Sequence, residues 1–251
     1  MSQNGQRAPA PDPAAGVFST MLVSGGEPVA LEDHLARLEA SVRELYGDPL
    51  PAEARELVAE TAPTLELGRL RVDVRPGGEA SVRSAAVDPA LVFPDHDHGT
   101  DLAVFEVEGW NGAHKWADRR LLEAADAGLA PALPLLVEDG QVLEGSRSNV
   151  FAVAAGRLVT PPTDGRILPG VARARLIEVA RAAGIEVDER PLELDELAAA
   201  DEAFLTSGVR GVEPVRSLTG AARWDSGELT ARVGAELRRA WLGPDIPPRL
   251  L

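Results

Sequence analysis

The sequence predicts an α+β fold in two subdomains, and three observations lead there. Strand-like and helix-like stretches mix along the 251 residues without a regular strand–helix–strand alternation, which argues against a doubly wound parallel sheet. A long amphipathic helix lies among strands near the N-terminus. A connection punctuated by Pro, Gly, Asp and His then divides the chain near 88–114. We expect a disordered tail or linker at 1–15, a small N-terminal α/β subdomain at 16–110 and a larger C-terminal one at 111–251.

Residues 1–15, MSQNGQRAPAPDPAA, carry Pro, Ala and polar residues without periodicity. VFSTMLVS (17–24) is β-branched and apolar and reads as a strand, and GGEP turns the chain. VALEDHLARLEASVREL (29–45) places Leu31, Leu35, Leu38, Val42 and Leu45 at three- and four-residue steps, one buried helix face. A second helix falls at about 51–60. RLRVDVRPGGEASVRSAAV (69–87) is two strands around a Pro-Gly-Gly turn. After the connection, DLAVFEV (101–107) is a strand, and a helical pattern runs from Trp116 to about Ala127. Residues 133–162 read as a strand meander. ILPGVARARLIEVARAAG (167–184) is a loop feeding a helix closed by Gly184. A short helix near 194–200, strands in EAFLTSGVRGVEPV and a helix near 226–241 finish the chain. No internal repeat is visible.

Composition narrows the function. A net charge of −15 argues against nucleic acid or an anionic membrane as the main partner. The absence of cysteine excludes disulfides, thiolate catalysis and zinc–thiolate sites. There is no apolar run of membrane-spanning length and no basic-then-apolar leader, so we expect a cytoplasmic protein. HExxH, Walker, Rossmann and GxSxG patterns are all absent.

Lys115, in GAHKWADRR, is the only lysine among 25 basic side chains; every other one is arginine. Arginine stays charged at accessible pH, whereas a lysine amine can shed its proton and attack a carbonyl. A solvated lysine kept by chance is the bland alternative. In VLEGSRSNVFAV, Glu144 stands at a strand end, a place where a carboxylate is usually just solvated. LPGVAR (168–173) offers free N–H groups at a helix start, and TSGVRG (206–211) offers a hydroxyl, glycines and an arginine; both suit an anion, and both also read as ordinary turns. The DHDHG run (95–99) reads as a solvated connection in preference to a metal site.

Taken together, FSTMLV, LEDHLARLEAS, HKWADRRLLE, LEGSRSNVFAV, ILPGVARARL and DEAFLTSGVRGVEPV resemble, in order, the fold type IV pyridoxal-phosphate enzymes. The resemblance spans about 18 to 215 and implies the two-subdomain D-amino-acid-aminotransferase-like fold. It also implies pyridoxal 5'-phosphate as cofactor, a small-molecule amino substrate and a homodimer. It gives Lys115 the Schiff-base role, Arg37 the cofactor phosphate, and Glu144 the pyridine nitrogen. Gly170, Val171 and Ala172 would offer N–H groups to that phosphate, with Ser207, Gly208 and Val209 on its other side. A base at neutral pH needs a lysine pKa near 7–8, and Arg119 and Arg120 are candidates for the field that lowers it.

Within the family, HKWADRRLLE is similar to the segment of 4-amino-4-deoxychorismate lyases, which expel pyruvate and leave p-aminobenzoate for folate synthesis. The Pro/Ala start leading straight into VFSTMLV is similar to the C-terminal part of fused p-aminobenzoate synthases. Thr20 matches a lyase threonine that faces substrate, although a strand residue facing solvent fits its position equally. Arg75 and Arg210 are candidates for the substrate carboxylates. A class IV aminotransferase acting on branched-chain or D-amino acids is the alternative, and a family member that binds the cofactor without turnover is the second.

Overall fold

The computed structural model describes residues 6–225 and 227–243. Gln6–Arg7 (β1) is followed by an antiparallel sheet built from Val17–Ser24 (β2), Glu27–Pro28 (β3), Leu67–Val74 (β4) and Ala80–Ala86 (β5), in the order β3-β2-β4-β5. Leu31–Tyr46 (α1) and Ala52–Thr61 (α2) cover one face. Alternation decides which face: Val17, Met21, Val23, Leu70, Val72 and Val74 pack on Leu38, Val42, Ala54 and Val58. The opposite face carries Phe18 and Thr20 on β2, Arg69, Arg71 and Asp73 on β4, and Arg83 on β5, in register with one another. On that face Arg71 and Arg83 are both paired with Asp73.

The larger sheet begins at Thr100–Glu108 (β6). Arg120–Leu129 (α3) leads to Leu133–Glu138 (β7), Gln141–Gly145 (β8), Asn149–Ala154 (β9) and Arg157–Thr160 (β10). Val171–Ala182 (α4), Val187–Glu189 (β11), Leu192–Glu193 (β12) and Leu194–Ala198 (α5) follow. Glu202–Ser207 (β13), Gly211–Leu218 (β14), Ala222–Arg223 (β15) and Glu228–Leu242 (α6) complete it. The order is β11-β10-β9-β13-β14-β6-β7-β8-β12, with β1 on β6 and β15 on β14. Both faces are covered, so VFAVA (150–154) reads as continuously apolar: Val150 and Ala152 join one core cluster, while Phe151 and Val153 join another with Leu176 and Ile177 of α4 and Val233 and Leu237 of α6.

Three expectations change. Residues 6–15, read as tail, are held: β1 runs parallel to Val107–Glu108, and Tyr46 donates its hydroxyl to Pro13 O at 2.9 Å. Backbone pairing needs no hydrophobic pattern, so periodicity missed it; residues 1–5 of that stretch lie outside the described residues. The helix read from Trp116 starts at Arg120, because Trp116 bridges Val17 and Ala117 N donates to Gly16 O at 2.9 Å. Strand β6, assigned to the N-terminal part, hydrogen-bonds between β14 and β7 in the large sheet.

No helix among the described residues is long and apolar enough to cross a membrane. Nor does any group of three or more His, Cys, Asp or Glu among them suit a metal ion. In the DHDHG run, His96 Nε2 meets Trp224 O at 2.8 Å and His98 Nδ1 meets Asp95 at 2.7 Å.

Candidate active site between the two sheets

A cavity of about 910 Å³ opens between the polar face of the small sheet and the loops of the large one. Lys115 lines it from the connection between β6 and α3. Phe18 N donates to Lys115 O at 2.9 Å, so β2 fixes the backbone that carries the amine. Lys115 Nζ lies 5.1 Å from the centroid of the Phe18 ring, and the Arg71 guanidinium carbon lies 3.5 Å from the same centroid. Desolvation lowers the Lys115 pKa to about 7; Arg37, Arg119 and Arg71 push the same way and Glu144 opposes them.

Glu144 is buried at the end of β8 and is not solvated. Its Oε1 accepts from Trp110 Nε1 at 3.0 Å and its Oε2 from Leu168 N at 3.1 Å. Burial raises its pKa to about 7 against those two hydrogen bonds and against Lys115 and Arg119. A lysine and a carboxylate that both change charge near neutrality in one cavity are what proton-transfer chemistry requires.

At another wall three elements converge. Arg37 is half-buried on α1, and burial lowers its pKa to about 10, so it remains a cation. Its Nη2 donates to Ser19 Oγ at 2.9 Å and its Nη1 reaches Pro169 O at 3.4 Å. Among the described residues no carboxylate comes within 4 Å of its guanidinium. Gly170 precedes α4, whose N-terminus has no side-chain cap, and Val171 and Ala172 line the cavity beside it. A Cβ at Gly170 would lie 2.0 Å from Asn149 Oδ1, and one at Gly208 would lie 2.7 Å from Thr20 O; in both places the backbone approaches too closely for a side chain. Ser207, Gly208 and Val209 face the same space, and Thr206 Oγ1 is buried there with no hydrogen-bond partner among the described residues.

The structure therefore brings Thr20, Arg37, Lys115, Glu144, Gly170, Val171, Ala172, Ser207, Gly208, Val209 and Arg210 to one cavity. Arg75 is not among them, and its expected place at the substrate is corrected. It lies past the end of β4 in the hairpin turn, exposed and paired with Glu79. Arg210 reaches the cavity, but its Nη1 is already 2.7 Å from Glu213. Of the two arginines after the lysine, Arg119 is half-buried and acts on Lys115, whereas Arg120 is exposed and paired with Asp118.

Sequence reasoning missed Trp110, Asn149, Ser19, His34, Thr206 and Arg71. Arg71 was accessible through strand register, since it stands opposite Thr20. His34 shares the Arg37 face of α1 at a three-residue step. Trp110 and Asn149 give no local signal.

Residues 16–218 match the family described as Amino-transferase class IV. A putative branched-chain-amino-acid aminotransferase of Methanocaldococcus jannaschii is 29% identical over 90% of this chain and 88% of its own length. Curated relatives that match over shorter stretches carry the branched-chain aminotransferase description too. A hypothetical aminotransferase from Mycobacterium tuberculosis, solved in its PLP-bound form, superposes with a TM-score of 0.79 at 26% identity, covering 96% of this chain and 95% of that one. The 4-amino-4-deoxychorismate lyase from Pseudomonas aeruginosa gives 0.73 at 30% identity, covering 91% of this chain and 92% of its own.

Proposed function

Since the chain belongs to the class IV amino-transferases, a family that works with pyridoxal phosphate, we propose that it uses this cofactor to eliminate pyruvate from 4-amino-4-deoxychorismate, giving p-aminobenzoate for folate synthesis. The cavity suits the cofactor on its own terms. Arg37 without a carboxylate partner, the uncapped start of α4, the close approach at Gly170 and the orphaned Thr206 hydroxyl all offer unsatisfied groups to a phosphate. Bound there, pyridoxal phosphate would supply an aldehyde for the substrate amine and a ring that accepts the electron pair released at the adjacent carbon.

The chain's own residues divide the remaining work. Glu144, pinned by Trp110 and Leu168, would hold a proton on the ring nitrogen of the bound cofactor. Lys115 Nζ, able to be neutral near pH 7, removes the proton from the carbon bearing the amine. Thr20 lies on the cavity face of β2, where it can pass a proton toward the departing enolpyruvate oxygen.

The observation that favours the lyase is Arg119. It lines the cavity with its Nη2 on Ser146 O, and among the described residues no carboxylate lies within 4 Å of it. Arg71, stacked on Phe18 and already paired with Asp73, adds a second guanidinium to the wall beside Lys115, so Arg119 is the cation left for a carboxylate. Aminodeoxychorismate brings two carboxylates to such a wall, whereas a branched-chain amino acid brings one and a bulky apolar group.

An aminotransferase is the second reading, favoured by the likeness to the M. jannaschii protein over most of both chains. The deciding experiment feeds aminodeoxychorismate to the cofactor-loaded protein with no 2-oxo acid present. Equal amounts of p-aminobenzoate and pyruvate over many turnovers support the lyase; turnover of amino acids only with a 2-oxo acid acceptor sinks it. The same reading carries a cytoplasmic homodimer, which the mass from sedimentation equilibrium and fractionation of cells would check.

A further inference from the structure

Ser19 on β2 is 0% exposed and His34 on α1 is 2% exposed, and the two meet at 2.9 Å between Ser19 Oγ and His34 Nδ1. Ser19 has a second partner, Arg37 Nη2, also at 2.9 Å. A guanidinium only donates, so the Arg37 contact occupies a lone pair of Ser19 Oγ. The serine proton is then free to point at His34 Nδ1. Were Nδ1 the protonated nitrogen, two donors would face Ser19 Oγ and its own proton would have no acceptor in a closed site. The imidazole proton therefore belongs on Nε2. Burial, Arg37 and Lys115 all hold His34 well below its ordinary pKa, in agreement with a single ring proton.

Among the described residues Nε2 makes no hydrogen bond. It lies 3.2 Å from the point a Cβ on Gly208 would occupy, and His34 lines the cavity beside Arg37 and the Ser207–Val209 turn. We propose that His34 carries its proton on Nε2, set there by the Arg37–Ser19 relay, and donates it to the phosphate group of the ligand held at that end of the cavity. This rests on the cofactor reading above only in naming the phosphate's carrier. The relay gives Arg37 a second duty: besides offering its own charge, it orients a neutral donor that costs no further charge in a closed site.

The test uses the full chain labelled with ¹⁵N-histidine, the His34 signals being identified by their loss in His34→Gln. The expected spectrum has a protonated Nε2 and a bare Nδ1, and inorganic phosphate shifts the Nε2 resonance. Affinities for pyridoxal phosphate and for pyridoxal, which lacks the phosphate, are then compared across variants. His34→Leu and Ser19→Ala should weaken the phosphorylated form by about tenfold and leave pyridoxal unchanged. His34→Gln, whose amide can reach the Nε2 position, should recover most of that loss. A proton on Nδ1, an Nε2 signal indifferent to phosphate, or equal losses for the two ligands would overturn the proposal. If the wild-type chain ignores pyridoxal phosphate while Nε2 still responds to phosphate, the cofactor reading fails and this one stands.

Discussion

Trp110 Nε1 donates to Glu144 Oε1 at 3.0 Å, a contact that ties the segment after β6 to the carboxylate at the end of β8. The bond favours the ionised carboxylate against the burial that raises its pKa to about 7. Trp110→Phe keeps the aromatic packing and removes the donor, so Glu144 must protonate at higher pH. The acid limb of the kcat profile should move upward, with about three- to tenfold less activity at pH 7. An unmoved limb would separate Glu144 from the catalytic titration.

Lys115 and Glu144 also predict how the cofactor-free protein responds to pH. Folding lowers the lysine to about 7, so from there up to its ordinary value near 10.4 the unfolded chain holds the extra proton, and stability rises with pH. Folding raises the carboxyl to about 7, so between its ordinary value near 4.3 and 7 the folded chain holds the extra proton, and stability falls with pH. The contribution of the pair is therefore least near neutrality. Lys115→Met should flatten the alkaline arm and Glu144→Gln the acid arm in urea melts, each stabilising the cofactor-free protein at pH 7 by about 1–3 kcal/mol. Parallel pH curves for the variants and the wild type would contradict the assignment.

What the sequence made legible follows from what is local. The Leu35, Leu38 and Val42 face, the Pro-Gly-Gly hairpin and the uncapped start after Gly170 are set by residues a few positions apart, and the structure places them as read. Arg75 went astray because a residue past a strand end has no face assigned by alternation, and its nearest carboxylate, Glu79, claimed it. Trp110 was invisible because its partner lies 34 positions away, across a pairing that only the folded sheet defines. Glu144 was read at a strand end, but it is buried and accepts from Leu168 N, 24 positions along the chain, which no pattern around 144 encodes.

Arg119 offers a test of substrate charge. It has no carboxylate within 4 Å among the described residues, and it helps hold Lys115 low. Arg119→Met should raise KM for aminodeoxychorismate at least about tenfold, the scale of one lost charge-assisted hydrogen bond. The lysine loses a neighbouring cation, so the pH at which it becomes neutral should rise as well. Steady-state kinetics across pH read both effects. A KM that does not change would remove Arg119 from the substrate's carboxylates, and a fixed pH profile would remove it from the field on Lys115.

Two glycine substitutions should have opposite signs. At Gly170 an added methyl meets Asn149 Oδ1 at 2.0 Å, and Asn149 is itself held by donating Nδ2 to Leu168 O at 2.9 Å. Neither atom can yield cheaply: moving Asn149 breaks a hydrogen bond in a buried site, and moving residue 170 drags the start of α4 away from Arg37. Gly170→Ala should cost about 1–3 kcal/mol and lower pyridoxal phosphate affinity more than affinity for pyridoxal. Gly128, inside α3, has open space where its Cβ would stand and an ordinary helical backbone. Gly128→Ala should instead stabilise the protein by about 0.5–1 kcal/mol with cofactor affinity unchanged, because alanine loses less backbone freedom on joining a helix. Thermal melts and cofactor titrations of the two variants side by side read the contrast. If both shift alike, close packing at residue 170 is not what shapes that end of the cavity.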